Sequence, residues 1–521
     1  MKMNRLLSIL IGLLAAGCTA VGPDYIPPEP QTPKTFSSEL TGGLRATSDA
    51  KATLSQWWTT LNDPELNTLI ERAIGGNLDL RQAASRIREA RAQRGISEAD
   101  RFPTIDASGS VARKRFRFGT SQDNVLAATT SYYQAGFDAT WEIDLFGRLQ
   151  RQVESSVAEF QATEEEYRDI LVTLLAEVAL NYVEVRSFQT RIAVAKANRD
   201  AQAKTFDLVL ANFEGGEVSR LDVEQARSNL ETTRSQIPTL ETSLAQAKHR
   251  LAVLLGQEPA ALNEELKKPG HVPLAPPQLA IGVPADLLRR RPDVRQAERE
   301  LAAQTAQIGV ATAELYPKLT LIGSIGLESF SAGDLVSPVN RVFNIGPSVQ
   351  WRIFDAGRIR QNIEVQNARQ EQALIAYEAS VLTGLQDVED ALVAYGKELI
   401  RRQSLVEAEK ATRRTVEVAD DQYRAGENDF LTVLDAQRSL LTIQDQLAAS
   451  NAQVTTNIIR LYKALGGGWA TLAPEDVRES SLDEDHHNQS EGGKSANRKT
   501  AHTETGQDRD HVNRDFSGGA S

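Results

Sequence analysis

From Tyr133 to Leu145 the odd positions are apolar or small (Tyr133, Ala135, Phe137, Ala139, Trp141, Ile143, Leu145) and the even ones are polar or glycine. A period of two predicts a β-strand with one greasy and one wet face. Ile105 to Val111, Leu319 to Leu327 and Phe343 to Ile353 repeat the pattern more weakly, which gives four strands in two hairpins. Some approach the roughly 9–11 residues that a tilted strand needs to cross a bilayer. Elsewhere the period is helical. Tyr167, Leu171, Leu174, Val178, Asn181, Val185, Phe188, Ile192 and Ala195 run in 3,4 spacing, as do Val223, Ala226, Leu230, Thr233, Ile237, Leu240, Leu244, Ala247, Leu251 and Leu254. A sustained period of seven predicts left-handed coiled-coil packing. No proline interrupts 148–213, and one helix of that length reaches about 100 Å. Gly215-Gly216 predicts its end and Ser219 the cap of a returning helix, with Gly426 and Asp429 in the same parts later in the chain. Pro238 predicts a bend in the first returning helix.

The pattern occurs twice. Trp-Glu-Ile-Asp-Leu-Phe-Gly-Arg at 141–148 returns 210 residues later as Trp-Arg-Ile-Phe-Asp-Ala-Gly-Arg at 351–358, and the same offset pairs Tyr167 with Tyr377, Gly216 with Gly426 and Leu251 with Leu461. Two copies of one unit are expected, 64–256 and 284–466, each a helix, a β-hairpin and a long helical hairpin, joined by a Pro-rich linker at 257–283. Residues 467–521 form a polar tail almost without large apolar side chains, which predicts disorder. Its His486, His487, His502 and His511 lack the framework of a metal site, and none is expected.

The N-terminus changes the meaning of the strands. Lys2 and Arg5 precede an apolar run, Leu6 to Ala16, too short to span a bilayer, so 1–17 reads as a secretory signal peptide. Leu14-Ala15-Ala16-Gly17-Cys18 resembles a bacterial lipobox, with Ala15 where Leu is usual. Cys18, the single cysteine, is the expected lipidation site, carrying diacylglycerol and an N-acyl chain at the start of a lipidated segment, 18–63. Several acyl chains hold a soluble body at a membrane. A soluble sheet with one buried face would otherwise be the better reading; the signal and lipobox turn the preference towards membrane strands.

Composition narrows the function. With 25% charged residues over 521 positions, a polytopic helical membrane protein is excluded, and a net charge of −12 excludes nucleic acid as partner. Four strands cannot close a membrane barrel, and an open edge is not tolerated in lipid. Closure therefore needs more copies: two give eight strands, three give twelve, and periodicity does not choose. No HExxH, GxSxG or P-loop spacing occurs, so no enzyme is expected. A cofactor other than the lipid is not expected either.

Val-Gly-Pro-Asp-Tyr at 21–25, Trp57-Trp58, the two strand–helix motifs, Leu-Leu-Arg-Arg-Arg-Pro-Asp-Val-Arg-Gln-Ala-Glu at 287–298, the 423–440 segment and Leu-Tyr-Lys-Ala-Leu-Gly-Gly-Gly-Trp at 461–469 together resemble the NodT-type outer-membrane efflux lipoproteins, relatives of OprM within the TolC superfamily. The resemblance implies a mixed, mostly α fold: four transmembrane β-strands and long coiled-coil helices per chain, forming in a homotrimer a 12-stranded β-barrel continued by a 12-helix periplasmic α-barrel. It implies a lipid-anchored outer-membrane exit duct for small toxic compounds. Its partners would be outer-membrane lipid, a periplasmic adaptor (membrane fusion protein) and an inner-membrane RND transporter. The outer component of a type I secretion-like system and a non-conducting helical spacer are the alternatives. By the same resemblance Leu431, Asp435 and Arg438 would form the periplasmic gate, and Asp222 and Tyr423 a link between hairpins. Gly216, Glu217, Ser219, Gly426, Glu427 and Asp429 mark hairpin tips where an adaptor would dock. Arg113, Lys114, Arg115 and Arg117 are expected at the outer end of the first β-hairpin, with Gly119 to Thr130 as its loop.

Overall fold

A computed structural model describes residues 20–29, 33, 35–46, 54–118, 126–274, 279–281 and 290–469. Cys18, the signal segment and the histidines of the tail lie outside the described residues. The chain is mostly helical. In order it forms β1 (Leu44–Ala46), a 3-10 turn (Trp57–Leu61), α1 (Pro64–Gly76), α2 (Leu78–Ala99), β2 (Thr104–Phe118), β3 (Leu126–Ile143), α3 (Arg148–Glu214) and α4 (Arg220–Leu254). There follow β4 (Leu279–Ile281), α5 (Pro292–Ala313), β5 (Lys318–Ser329), β6 (Arg341–Gln350), α6 (Arg358–Arg424) and α7 (Phe430–Ala464).

One sheet runs β2-β3-β5-β6, antiparallel throughout. Its register places Ile105, Val111, Phe137, Trp141, Ile325, Phe343, Ile345 and Val349 on one face. That face is bare: Val111 is 73% exposed, Ile325 65% and Phe343 81%. The facing glycines Gly136 and Gly326 sit at the β3–β5 seam, where a Cβ on either would stand 2.8 Å from a carbonyl oxygen of the other strand. β2 runs seven residues past Val111, so Arg113, Lys114, Arg115 and Arg117 are ladder residues paired with Ser131, Thr130, Thr129 and Ala127. The expected loop from Gly119 to Thr130 is thereby shortened, because 126–130 pair into β3. Phenylalanines on the β2 extension and Thr129, Thr130 and Tyr132 opposite it on β3 favour strand, which extends the hairpin beyond the apolar run. β6 stops at Gln350, short of Ile353; Trp351 instead donates its indole N–H to the carbonyl of Leu315.

α3 and α6 each span 67 residues, about 100 Å at 1.5 Å per residue. The expected stripe of α3 is buried at Tyr167, Leu171, Leu174, Val178, Val185, Ile192 and Ala195, while Asn181 and Phe188 are only partly covered. Asn181 donates instead to the Glu177 carbonyl in its own helix. α4 continues as one helix through Pro238. No helix among the described residues is long and apolar enough to cross a membrane.

The shorter elements and the long helices are tied together by side-chain contacts. Asp63 caps α1 by accepting from the backbone of Glu65 and Leu66 and also accepts from the Tyr182 hydroxyl of α3 at 2.9 Å. Trp57 stacks on Tyr462 of α7 at 5.0 Å. Trp469 lies between the guanidinium groups of Arg168 and Arg295, each 5.2 Å from its ring. Described residues near the N-terminus bond the long helices: Arg151 donates to the Val21 carbonyl and pairs with Asp24, and Glu389 accepts from the backbone of Ser37 and Ser38. A short parallel pairing of β1 with β4, inside the stretch that reads as a linker, has no pattern in the sequence.

Candidate functional site: the helical hairpin tips

Both long helices end the same way. Gly216 takes φ +79° and Gly426 φ +74°, the left-handed conformation that closes a helix and favours glycine. A Cβ at either would meet nothing within 4 Å, so the backbone angle, not space, requires glycine there. The next amide folds back, Glu217 to the Asn212 carbonyl at 2.8 Å and Glu427 to the Gln422 carbonyl at 2.9 Å. Ser219 and Asp222 then form a reciprocal capping box on α4, and Asp429 caps α7 by accepting from the Thr432 amide. Capping satisfies helix-terminal amides that would otherwise be orphaned. Gly216, Glu217, Ser219, Gly426, Glu427 and Asp429 are all exposed.

Behind the tips the two hairpins share a core of Val209, Val223, Ala226, Ala419, Phe430, Val433, Leu434 and Ala436. Leu431 (47% exposed), Asp435 and Arg438 lie on the opposite face of α7. Asp435 and Arg438 stand 3.9 Å apart and both are exposed, a contact worth only tenths of a kcal/mol. Arg438 has a closer partner: its Nε donates to Oδ1 of buried Asn229 on α4 at 3.1 Å. Asn229 is absent from the expected gate. Its signal was present, because 226, 229, 230 and 233 share one helix face.

A polar seam continues away from the tip. On α3, Arg191, Asn198 and Thr205 recur every seven residues and bond α7: Arg191 donates to Asp445 in bidentate fashion at 2.7 and 2.9 Å, Asn198 donates to Gln444 at 2.8 Å, and Thr205 accepts from Gln437 at 2.9 Å. In the sequence this polar heptad is overshadowed by the apolar heptads of the same helix.

Asp222 and Tyr423 come near each other without a hydrogen bond between them. The Asp222 carboxylate accepts from the Ser219 amide and hydroxyl at 2.9 and 2.8 Å. Burial raises the Tyr423 pKa, Asn212 beside its hydroxyl opposes the shift, and the Asp222 and Glu217 carboxylates add to it. The ring leans on Phe430 at 5.6 Å.

Farther along, a cleft of about 400 Å³ is lined by Asp169, Arg291, Asp293, Asp387, Arg460 and Lys463, among others. Its charges hold the scaffold: Arg291 bonds Asp293 at 2.7 Å, Asp387 at 2.9 Å and the Ala464 carbonyl at the end of α7 at 3.1 Å. A cation on the last carbonyls of a helix is favourable. Among the described residues no group of His, Cys, Asp and Glu could hold a metal ion.

A family model described as "Outer membrane efflux protein" matches residues 69–257 and 283–467. Nodulation protein T of Rhizobium leguminosarum bv. trifolii is 32% identical over 477 residues, covering 91% of this chain and 99% of that protein. The cation efflux system protein CusC of Escherichia coli is 32% identical over 476 residues, covering 90% and 100%. Among solved structures, the outer-membrane channel OprN aligns with a TM-score of 0.80 at 37% identity, covering 86% of this chain and 99% of that one.

Proposed function

The chain belongs to the outer membrane efflux protein family, an outer-membrane protein that extends into the periplasm, and on that premise we propose that three copies form a passive exit duct. The bare apolar face of the four-stranded sheet carries this reading. A lone sheet of this kind leaves two open edges, β2 and β6, which lipid does not tolerate. Joining β6 of one copy to β2 of the next removes both, and twelve strands from three copies leave the wet face around an aqueous bore. The twelve long helices then continue the bore through the periplasm.

Such a duct does no chemistry. Energy and selection come from partners, a periplasmic adaptor docking at the Gly216 and Gly426 tips and an inner-membrane RND transporter. Relatives are named for cation, solvent and toluene efflux, which supports small toxic compounds as cargo. Leu431, Asp435 and Arg438 form the constriction at rest, with Arg438 held across hairpins by Asn229. Cys18 carries the lipid that anchors the N-terminal segment; mass spectrometry of the mature N-terminus tests this, and an unmodified cysteine would reject it.

Single-channel conductance of the purified full-length protein in a planar bilayer tests the duct itself. Discrete steps from trimers are expected; a lipid-anchored protein that never conducts, even after Arg438→Ala, would show a spacer instead.

A further inference from the structure

The sheet separates its charges by face. Asp106, Asp138, Glu142 and Glu328 all fall on the wet side by register, together with Lys114 and Lys318. No Asp or Glu occupies the greasy side of any of the four strands, whose charges are all arginines: Arg113 and Arg115 on β2, and Arg341 on β6, with Arg117 continuing the same parity in the ladder. Arg113, Arg115 and Arg341 are exposed, and Arg113 and Arg115 form no ion pair among the described residues. Lys114, between them in sequence, points to the wet side and lies 4.4 Å from the Tyr132 ring.

These arginines share one end. α3 and α6 leave the sheet after Ile143 and Gln350, so the opposite end, where β2 and β3 run beyond Tyr133 and β6 begins, faces outward. The inner end carries the two tryptophans, with Trp141 and Trp351 donating to the carbonyls of Arg101 and Leu315. From Ile105 to Arg113 the strand rises about 27 Å at 3.4 Å per residue. Tilted by about 40°, that is roughly 20 Å of height against an apolar band about 25 Å tall, and an arginine's reach supplies the rest. Guanidinium groups at that height meet the phosphates of the outer leaflet, and their planar fork suits phosphate oxygens better than an ammonium does.

We propose that Arg113 and Arg115, joined by Arg341, form a girdle that binds the phosphate groups of an anionic lipid in the outer leaflet. The proposal rests on the barrel reading above. It explains why the cations alternate: arginine on the lipid side is useful, whereas Lys114 on the wet side belongs to the bore.

The test places the full-length protein in phosphatidylcholine nanodiscs doped with diphosphorylated lipid A or with its dephosphorylated counterpart, and counts retained lipid by native mass spectrometry. Wild type should enrich the phosphorylated lipid at least fivefold over the other. The Arg113→Gln/Arg115→Gln pair should lose that preference to within twofold, the Arg113→Lys/Arg115→Lys pair should keep part of it, and Lys114→Gln should keep all of it. Equal retention of both lipids by wild type, which needs no variant to fold, overturns the proposal, as does an equal loss in Lys114→Gln. If millimolar inorganic phosphate abolishes the preference, the site binds free anions and the lipid assignment fails. Conductance of Arg438→Ala trimers in a pure phosphatidylcholine bilayer separates the two readings: no conductance sinks the barrel, whereas conductance without a lipid preference sinks only the girdle.

Discussion

Arg438 on the second hairpin donates to Asn229 on the first at 3.1 Å, while its neighbour in sequence, Asp435, stays 3.9 Å away and open to water. The hairpins are thus joined, at the place proposed for the constriction, by a charged donor and a buried amide. A hydrogen bond to a charged group contributes about 1.5–3 kcal/mol, against tenths for the exposed ion pair. Asn229→Ala should therefore raise single-channel conductance severalfold, as much as Arg438→Ala, and Asp435→Ala should raise it less. The order of the three conductances checks this; Asp435→Ala as the largest would make the ion pair, not the bond to Asn229, the closing contact.

The Arg191–Asp445 bridge is bidentate and about two-thirds covered, so it should exceed an exposed pair while remaining short of a buried one. A double-mutant cycle with Arg191→Ala and Asp445→Ala should give a coupling of about 1 kcal/mol. Thermal or denaturant unfolding of the assembled protein measures it, and additive losses would mean that the seam is packing alone.

Gly216→Ala and Gly426→Ala probe the tips. Because a Cβ meets no neighbour at either position, each change should cost only the left-handed strain, about 1 kcal/mol. Crosslinking from cysteines replacing Glu217 or Glu427 to the adaptor should fall in the glycine variants, and unchanged yields would place docking away from the tips.

Burial pushes the Glu389 carboxyl up, but hydrogen bonds from the Ser38 hydroxyl and the Ser37 and Ser38 amides outweigh it and hold the pKa below the usual carboxylate value. A depressed pKa means that the contact stabilises above the unfolded value and is lost as pH falls through the folded one. Protection of the 35–42 amides, taken relative to their intrinsic exchange rates, should accordingly fall as the pH drops below the ordinary carboxylate range. Glu389→Gln should show the faster exchange already at neutral pH and lose most of the pH dependence.

Much of this was written in local sequence. A period of two placed the inner part of β3 but not its first seven residues, a period of seven placed α3 and α4, and glycine with Ser219 or Asp429 marked where each hairpin turns, because these signals act between residues close along the chain. The sequence repeat and the motifs were enough to identify the family. Tertiary structure decided the rest. The outward arginines of β2 became strand residues only through their partners on β3. Asn229 became the partner of Arg438 only when two helices 209 residues apart in sequence came into register. The polar heptad of α3 and the pairing of β1 with β4 likewise bring together residues far apart in the chain. Periodicity states which face a residue occupies; what stands opposite that face is set by packing between distant segments.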